Sequence, residues 1–179
     1  AAILGLSTRE NLGLPDGFFD NNKENQLKIV AKIRQYQPEI VITNAIYDRH
    51  PDHSRASNLV ETACFIAGLK QVKTRMNDEK QSAYRPKKLY YSIQSISATP
   101  DFLVDVTEVE EERMEAILAF KSQFFDEKSM EPQTYISSKN FIEMIKARSR
   151  EFGHRIGVEH AEGFCIKHFI GVKNLFDLI

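Results

Sequence analysis

The chain has 179 residues, 42% of them hydrophobic, so it is long enough to bury one ordinary core, and we predict a single domain. Its 24 lysine and arginine residues nearly balance 25 acidic residues, which argues against nucleic acid or an acidic membrane surface as a partner. No apolar run approaches the roughly 20 residues that span a bilayer. The two cysteines, Cys64 and Cys165, lack CxxC spacing and predict free thiols in a cytoplasmic protein.

The first residues are typical of the end of an element. Residues 1–6 have no initiator methionine and resemble the last turn of a helix capped by Gly5. We therefore expect a segment upstream of Ala1.

A helix and a buried strand are predicted next. Asn21 or Asn22 caps a helix that ends before Pro38. Residues 39–43 are β-branched and apolar at their centre, which is typical of a parallel strand covered on both faces. A polar loop, residues 44–53, follows this strand.

The rest of the chain continues to alternate strands with helices. This alternation predicts an α/β three-layer, Rossmann-like fold with a mostly parallel sheet, whose ligands bind beyond the carboxyl ends of the strands. The predicted elements are a helix over 54–68, a polar lid over 70–88, strands over 89–93 and 102–106, a helix from a capping box of Thr107 and Glu110 through Phe124, a polar loop over 126–139, and a helix from Phe141 that Gly153 ends.

The loop after the first predicted strand concentrates ionisable side chains. Residues 48–53 read Asp-Arg-His-Pro-Asp-His and contain two of the five histidines. A zinc ligand must be a neutral imidazole held in one tautomer, usually by a carboxylate, and this loop supplies both residue types. The alternative is that Asp52 is only a helix cap and that both histidines are exposed loop residues.

Several segments of the chain together carry a family resemblance. They are Arg-His-Pro-Asp-His at 49–53, Arg-Glu-Asn-Leu-Gly-Leu-Pro-Asp at 9–16, Ser-Gln-Phe at 122–124, Ala-Arg at 147–148 with Phe-Gly at 152–153, and Gly-Val at 157–158 through Ala-Glu-Gly-Phe at 161–164. These segments resemble the PIG-L/LmbE-like zinc-dependent N-deacetylases. Within that family the chain is most similar to the bacillithiol-pathway branch, whose members remove acetate from N-acetylglucosaminyl malate.

The resemblance implies a role for three residues of the loop. His53 is a zinc ligand, although another divalent metal could replace zinc. His50 stabilises the tetrahedral intermediate or protonates the leaving amine, and Asp52 orients and charge-stabilises His50. The resemblance also implies a small N-acetylated sugar as the partner and assembly into a homo-oligomer.

Arg49 is a candidate substrate-binding residue on chemical grounds. Its guanidinium could hold a substrate carboxylate such as that of malate in a bidentate pair. An ion pair of Arg49 with Asp48 or Asp16 is the structural alternative.

The chain also departs from the family pattern. The family's Ala-His-Pro-Asp-Asp motif, which supplies two further zinc ligands and the general base, is absent from these residues. We interpret the chain as an N-terminally truncated domain that lacks its first strand-helix segment and is catalytically incomplete alone. Phe141 and His160 stand near positions where the family can place a tyrosine, so the oxyanion donor stays open. A non-catalytic sugar-binding or assembly module and a metal phosphoesterase are the alternative functions.

Overall fold

The computed structural model describes residues 1–127, 130 and 132–178. Within the predicted loop over 126–139, residues 128, 129 and 131 lie outside the described residues. The helices and strands are α1 (Lys23–Tyr36), β1 (Ile40–Thr43), α2 (Pro51–Ala67), β2 (Arg75–Met76), β3 (Glu79–Lys80), β4 (Lys88–Ser92), β5 (Phe102–Asp105), α3 (Glu110–Leu118), α4 (Lys139–Ile156) and β6 (Ala161–Cys165), with 3-10 turns at Thr107–Val109 and Leu175–Leu178.

The chain divides into two compact units. The larger unit contains Leu12–Asp101 and Phe164–Ile179, and the smaller contains Ala1–Asn11 and Phe102–Gly163. A single domain over the whole chain stays a prediction. Among the helices of the described ranges, none has the length and apolar character needed to cross a membrane.

The core of the larger unit lies where α1 and α2 pack together. The Asn22 side chain accepts a hydrogen bond from the Asn25 backbone N–H at 3.0 Å and so begins α1. Gln37 ends α1 in the left-handed conformation (φ 47°), directly before Pro38. Both ends of α1 therefore lie where the sequence predicts them. The buried residues that the two helices share are Val30, Ile33, Ala63, Cys64 and Ala67.

The sheet of the larger unit lies beside this helix pair. β1 and β4 are parallel, in a register that begins at Ile40 opposite Lys88, and β4 pairs antiparallel with the end of β6. Val41 packs against the helix core, whereas Ile40 and Ile42 are 52% and 59% exposed. The predicted α/β class is confirmed. The expectation that β1 is covered on both faces is wrong within the described residues, because alternate side chains of a strand point to opposite faces and α1 and α2 cover the Val41 face.

A buried arginine holds the end of α2. Arg34 on α1 is 4% exposed. Its guanidinium donates to the carbonyl oxygens of Ala67 (3.0 Å), Leu69 (3.0 Å) and Val72 (2.8 Å) and to the hydroxyl of Thr74 (2.9 Å). Arg34 therefore ties the last residue of α2 to the segment that follows the helix.

The predicted lid over 70–88 contains a short hairpin. β2 and β3 pair antiparallel, and Asn77 and Asp78 between them both have positive φ (47° and 66°). Two consecutive positive φ angles are what a tight type I′ hairpin turn requires, and asparagine and aspartate tolerate them.

In the smaller unit, the predicted capping box does not form. The Thr107 backbone N–H donates to Asp105 Oδ1 at 2.9 Å, and its hydroxyl bonds the His160 carbonyl oxygen at 3.3 Å. The Thr107 hydroxyl is therefore bonded to another segment and does not cap α3. Thr107 begins a 3-10 turn instead, and α3 has no side-chain cap. α3 also ends at Leu118, before the predicted Phe124.

The last helix extends past its predicted end at Gly153. A Cβ atom at Gly153 would lie 2.6 Å from the Glu159 carbonyl oxygen, so this glycine permits close backbone packing inside the helix. The cap is Gly157 instead, in the left-handed conformation at φ 77°.

Candidate active site

The polar loop after β1 leads directly into α2. His50 has extended backbone angles (φ −84°, ψ 123°), as its position before Pro51 predicts. Proline at the first helical position then begins α2 at Pro51, three residues before the predicted start. His53 therefore lies in the first turn of the helix rather than in the loop.

His53 is held by a buried carboxylate. Its Nδ1 lies 2.5 Å from Oδ2 of Asp48, whose side chain is 0% exposed, while the His53 side chain is 30% exposed. The other oxygen of Asp48 accepts the Ile96 backbone N–H at 2.7 Å. Both carboxylate oxygens are thus bonded, and they fix the His53 ring.

The ionisation state of Asp48 determines the His53 tautomer. Burial raises the pKa of Asp48, but hydrogen bonds from the His53 side chain and from the backbone of Ile96 and Arg49 outweigh that effect and lower the pKa overall. An ionised carboxylate only accepts, so the proton between the two groups belongs to His53 Nδ1. In neutral His53, the lone pair is then on Nε2.

The Nδ1 of His50 accepts a hydrogen bond, whereas that of His53 donates one. The His50 Nδ1 accepts the backbone N–H of Asp52 at 3.2 Å and caps α2. In neutral His50 the proton is therefore on Nε2. The ring centroids of His50 and His53 are 5.3 Å apart, so a ring with a donating Nε2 lies beside a ring with an accepting Nε2.

Asp52 links the start of α2 to an earlier turn. Its Oδ2 accepts the Gly17 backbone N–H at 2.6 Å, and its Oδ1 accepts from Arg55 at 2.8 Å. Arg55 also donates to the Gly17 carbonyl oxygen at 2.6 Å. Burial raises the pKa of Asp52, and the bonds from Gly17 and Arg55, with a smaller effect of His50, lower it overall.

The structure therefore brings three of the four predicted site residues together. His50, Asp52 and His53 share the first turn of α2 or its cap, and Arg49 is exposed beside them. The described carboxylate bonds of Asp52 go to Gly17 and Arg55, so the orientation of His50 by that carboxylate stays a prediction. Substrate binding by Arg49 stays a prediction as well.

Sequence reasoning missed the partners of these residues. Asp48 lies in the same loop, five positions before His53, but the sequence suggested it only as a partner of Arg49. Arg55 follows Asp52 by three positions, a spacing that brings helix side chains together. The backbone donors of Gly17 and Ile96 have no sequence signal, because they become neighbours only in the fold.

His160 and Phe141 lie in the smaller unit. His160 Nδ1 is 3.3 Å from the Ser149 hydroxyl and 3.8 Å from Glu110. Phe141 is buried and stacks on Phe124, with centroids 6.0 Å apart. These contacts are consistent with structural roles.

The donor set offers one good metal position. His53, with Nδ1 bonded to a buried carboxylate and Nε2 carrying a lone pair, has the arrangement of a histidine ligand and its supporting carboxylate. Within the described residues, no three His, Cys, Asp or Glu side chains come together in a group that could hold a metal ion.

The chain is similar to known proteins in sequence. The family model PIG-L, GlcNAc-PI de-N-acetylase, matches residues 1–64. A diacetylchitobiose deacetylase from Thermococcus kodakarensis is 29% identical over 131 residues, 69% of this chain and 46% of the relative. The chain therefore spans about half the length of this curated relative.

Two solved structures share the fold. N,N'-diacetylchitobiose deacetylase from Pyrococcus horikoshii has a TM-score of 0.72 at 21% identity, over 99% of this chain and 64% of that one. The conserved protein TT1542 from Thermus thermophilus has a TM-score of 0.81 at 31% identity, over 96% of this chain and 71% of that one. The first third of the chain therefore matches the PIG-L family model, and the fold over nearly the whole chain is similar to that of TT1542.

Proposed function

We propose that this protein is a metal-dependent hydrolase that removes the acetyl group from an N-acetylglucosaminide. The proposal rests on the hydrogen bonds of two neighbouring imidazoles. The Nδ1 of His50 accepts a hydrogen bond, whereas the Nδ1 of His53 donates one. The match of residues 1–64 to the PIG-L family model and the similarity to a diacetylchitobiose deacetylase support it. The bacillithiol-type substrate N-acetylglucosaminyl malate is our proposal from the motifs of this chain.

His53 is the proposed metal ligand, through Nε2. Zinc, when bound, supplies a Lewis acid for the acetyl carbonyl and lowers the pKa of water. Asp48 keeps the His53 ring in the tautomer that can bind metal. One histidine does not complete a zinc site, so we propose that further ligands join His53 in the whole protein.

His50 is the proposed acid. Hydrolysis adds water to the acetyl carbon and breaks its bond to nitrogen, so negative charge develops on oxygen and the leaving amine needs a proton. In neutral His50 the Nε2–H can donate a hydrogen bond to the developing negative charge on oxygen. Protonation of the leaving amine requires the imidazolium form, in which Nδ1 also carries a proton and no longer accepts the Asp52 N–H.

Arg49 is proposed to bind the malate part of the substrate. Arg49 is exposed and directly precedes His50, and a guanidinium can form two parallel hydrogen bonds with a carboxylate. We also propose a cytoplasmic homo-oligomer, the location being supported by the free thiols of Cys64 and Cys165.

The test uses two substitutions in the protein as its gene encodes it. We expect His53→Ala to lose zinc, measured by metal analysis after dialysis. His50→Asn should retain zinc and lose acetate release from N-acetylglucosaminyl malate by a factor of about 10² to 10⁴, since Asn keeps a capping oxygen but cannot transfer a proton. Equal zinc content in the wild type and His53→Ala would overturn the ligand assignment.

The same assay separates the alternative functions. A wild-type protein that binds the sugar without releasing acetate would be a non-catalytic binding module. Release of phosphate from a sugar phosphate without release of acetate would identify a phosphoesterase.

A further inference from the structure

A positively charged groove of about 710 Å³ lies in the larger unit, lined by α2, by the segment that enters β4 and by the segment that leaves β6. The charged residues that line it are Arg85, Lys87, Lys88 and Lys167, with Glu61 as the one carboxylate and His168 beside them. The whole chain has a net charge of −1, so this positive charge is a local feature. A cleft lined by one sign of charge attracts counter-ions.

Arg85 is fixed in the groove by α2. Its Nη2 donates to the Phe65 carbonyl oxygen at 2.9 Å, and its guanidinium carbon lies 4.6 Å from the centroid of the Phe65 ring. It also packs on Gly68, where a Cβ atom would lie 2.5 Å from Arg85 Nε. The bare backbone of Gly68 thus makes room for a pre-positioned guanidinium.

Lys167 is fixed in a similar way. Its Nζ lies 2.5 Å from a carboxylate oxygen of Glu61 and 5.1 Å from the centroid of the buried Tyr91 ring. An ammonium held by one carboxylate and one aromatic ring retains further N–H donors.

The remaining cations leave a surplus of positive charge. Lys87 pairs with Glu39 at 2.5 Å. In the part of the chain that the structure describes, Lys88 and His168 have no ion-pair partner. Four lysine and arginine residues against Glu61 and Glu39 leave two positive charges unbalanced.

The groove is distinct from the histidine site. Lys87 and Lys88 lie at the amino end of β4, which runs parallel to β1. The loop that contains Asp48 follows the carboxyl end of β1. The two sites therefore lie at opposite ends of this strand pair.

We propose that this groove binds the phosphate group of a small phosphorylated molecule. A phosphate dianion matches the two unbalanced charges, Arg85 offers a planar donor pair, and Lys88 and Lys167 offer point charges. The volume falls within the range of small-molecule sites. This site does not depend on the proposed deacetylase activity.

Calorimetric titration with inorganic pyrophosphate, on protein freed of metal with a chelator, tests the proposal. We expect one saturable site in the wild type. The double variant Lys88→Ala/Lys167→Ala should bind about tenfold more weakly or worse, because charge-assisted hydrogen bonds are lost. The exposed Lys88→Ala single variant should show a smaller loss, and the unfolding midpoint of each variant establishes that it is folded.

Two controls decide the interpretation. Lys23→Ala/Lys28→Ala removes the same charge from α1, and His53→Ala alters the histidine site, so both should bind pyrophosphate like the wild type. If pyrophosphate binding weakened equally in both double variants, the loss would follow from the overall charge of the protein, and the proposal would be overturned. Loss of binding in His53→Ala, or no saturable binding by the wild type at millimolar pyrophosphate, would overturn it as well.

Discussion

The two ends of α2 are both held by buried charged groups, but they differ in what those groups leave free. At the carboxyl end, the Arg34 guanidinium binds three carbonyl oxygens and one hydroxyl. At the amino end, Asp48 and the helix backbone bind one ring nitrogen of His53 and one of His50. The first arrangement satisfies the polar groups of a helix end, and the second leaves one nitrogen on each partly exposed ring for other chemistry.

This difference separates a structural polar network from a functional one. Both networks hold their residues in fixed positions, so burial and hydrogen bonding alone do not identify a site. The amino end differs because one ring nitrogen of His50 can still donate, and one of His53 can still accept, a hydrogen bond near solvent. Substitutions at the two ends should therefore affect different properties.

The largest effect on stability is expected for Arg34→Met. It would remove the four hydrogen bonds that the buried guanidinium donates beyond the end of α2 and should lower the free energy of unfolding by about 3 kcal/mol. Urea unfolding measures this loss, with Arg34→Lys as a control that keeps the charge but not the planar fork. A change in the ring nitrogen chemical shifts of His53 in Arg34→Met would show that the two ends of α2 are not independent.

A smaller loss of stability is expected for Asp48→Asn. The amide has only one oxygen, so it cannot accept from both His53 Nδ1 and the Ile96 N–H, and the free energy of unfolding should fall by about 2 kcal/mol. Nitrogen NMR of the imidazole should show a single Nδ1–H tautomer in the wild type and a mixture in the variant. A mixture already present in the wild type would contradict the assigned tautomer.

His50→Ala should cost less, about 1 kcal/mol, because it removes the cap of α2. His50→Asn is the matched control, since its side-chain oxygen can still accept the Asp52 N–H. We expect near-native stability for Asn and a measurable loss for Ala in thermal unfolding. Equal stability of both variants would show that the cap at the amino end contributes little.

The smallest effect is an acid dependence of stability. The pKa values of Asp48 and Asp52 are lowered in the folded state, so their contribution is present above the unfolded value of about 4 and is lost as the pH falls through the folded values. Unfolding free energies measured between pH 6 and pH 2 should therefore fall below about pH 4. Asp48→Asn and Asp52→Asn should each flatten that fall, and unchanged profiles in both would contradict the assigned carboxylate bonds.

Much of the fold could be predicted because the helix caps, prolines and apolar patterns of the sequence agree with the packing of the folded chain. Asn22 and Pro38 bound α1 as expected, and β1 ends at Thr43 as predicted. Predictions failed where a distant group decided the outcome. The His160 carbonyl binds the Thr107 hydroxyl, and the backbone at Glu159 needs the bare Gly153, so neither residue acts as the cap its local sequence suggests.

The site was predictable in part for the same reason. The spacing of His50 and His53 and the effect of Pro51 are local, so the sequence could identify them. Asp52 accepts the Gly17 backbone N–H across 35 positions of sequence. Asp48 accepts the Ile96 backbone N–H across 48 positions. Sequence separation on that scale hides which donor a carboxylate will find.

The bonds between Gly17 and the start of α2 have a consequence for hydrogen exchange. Gly17 lies in a turn, with φ at 76°, where a backbone amide would ordinarily exchange rapidly with water. Here its N–H is bound to a carboxylate of α2 and its carbonyl to Arg55. Exchange at Gly17 should therefore require opening of the first turn of α2, and its protection would report on the same local opening that releases His53.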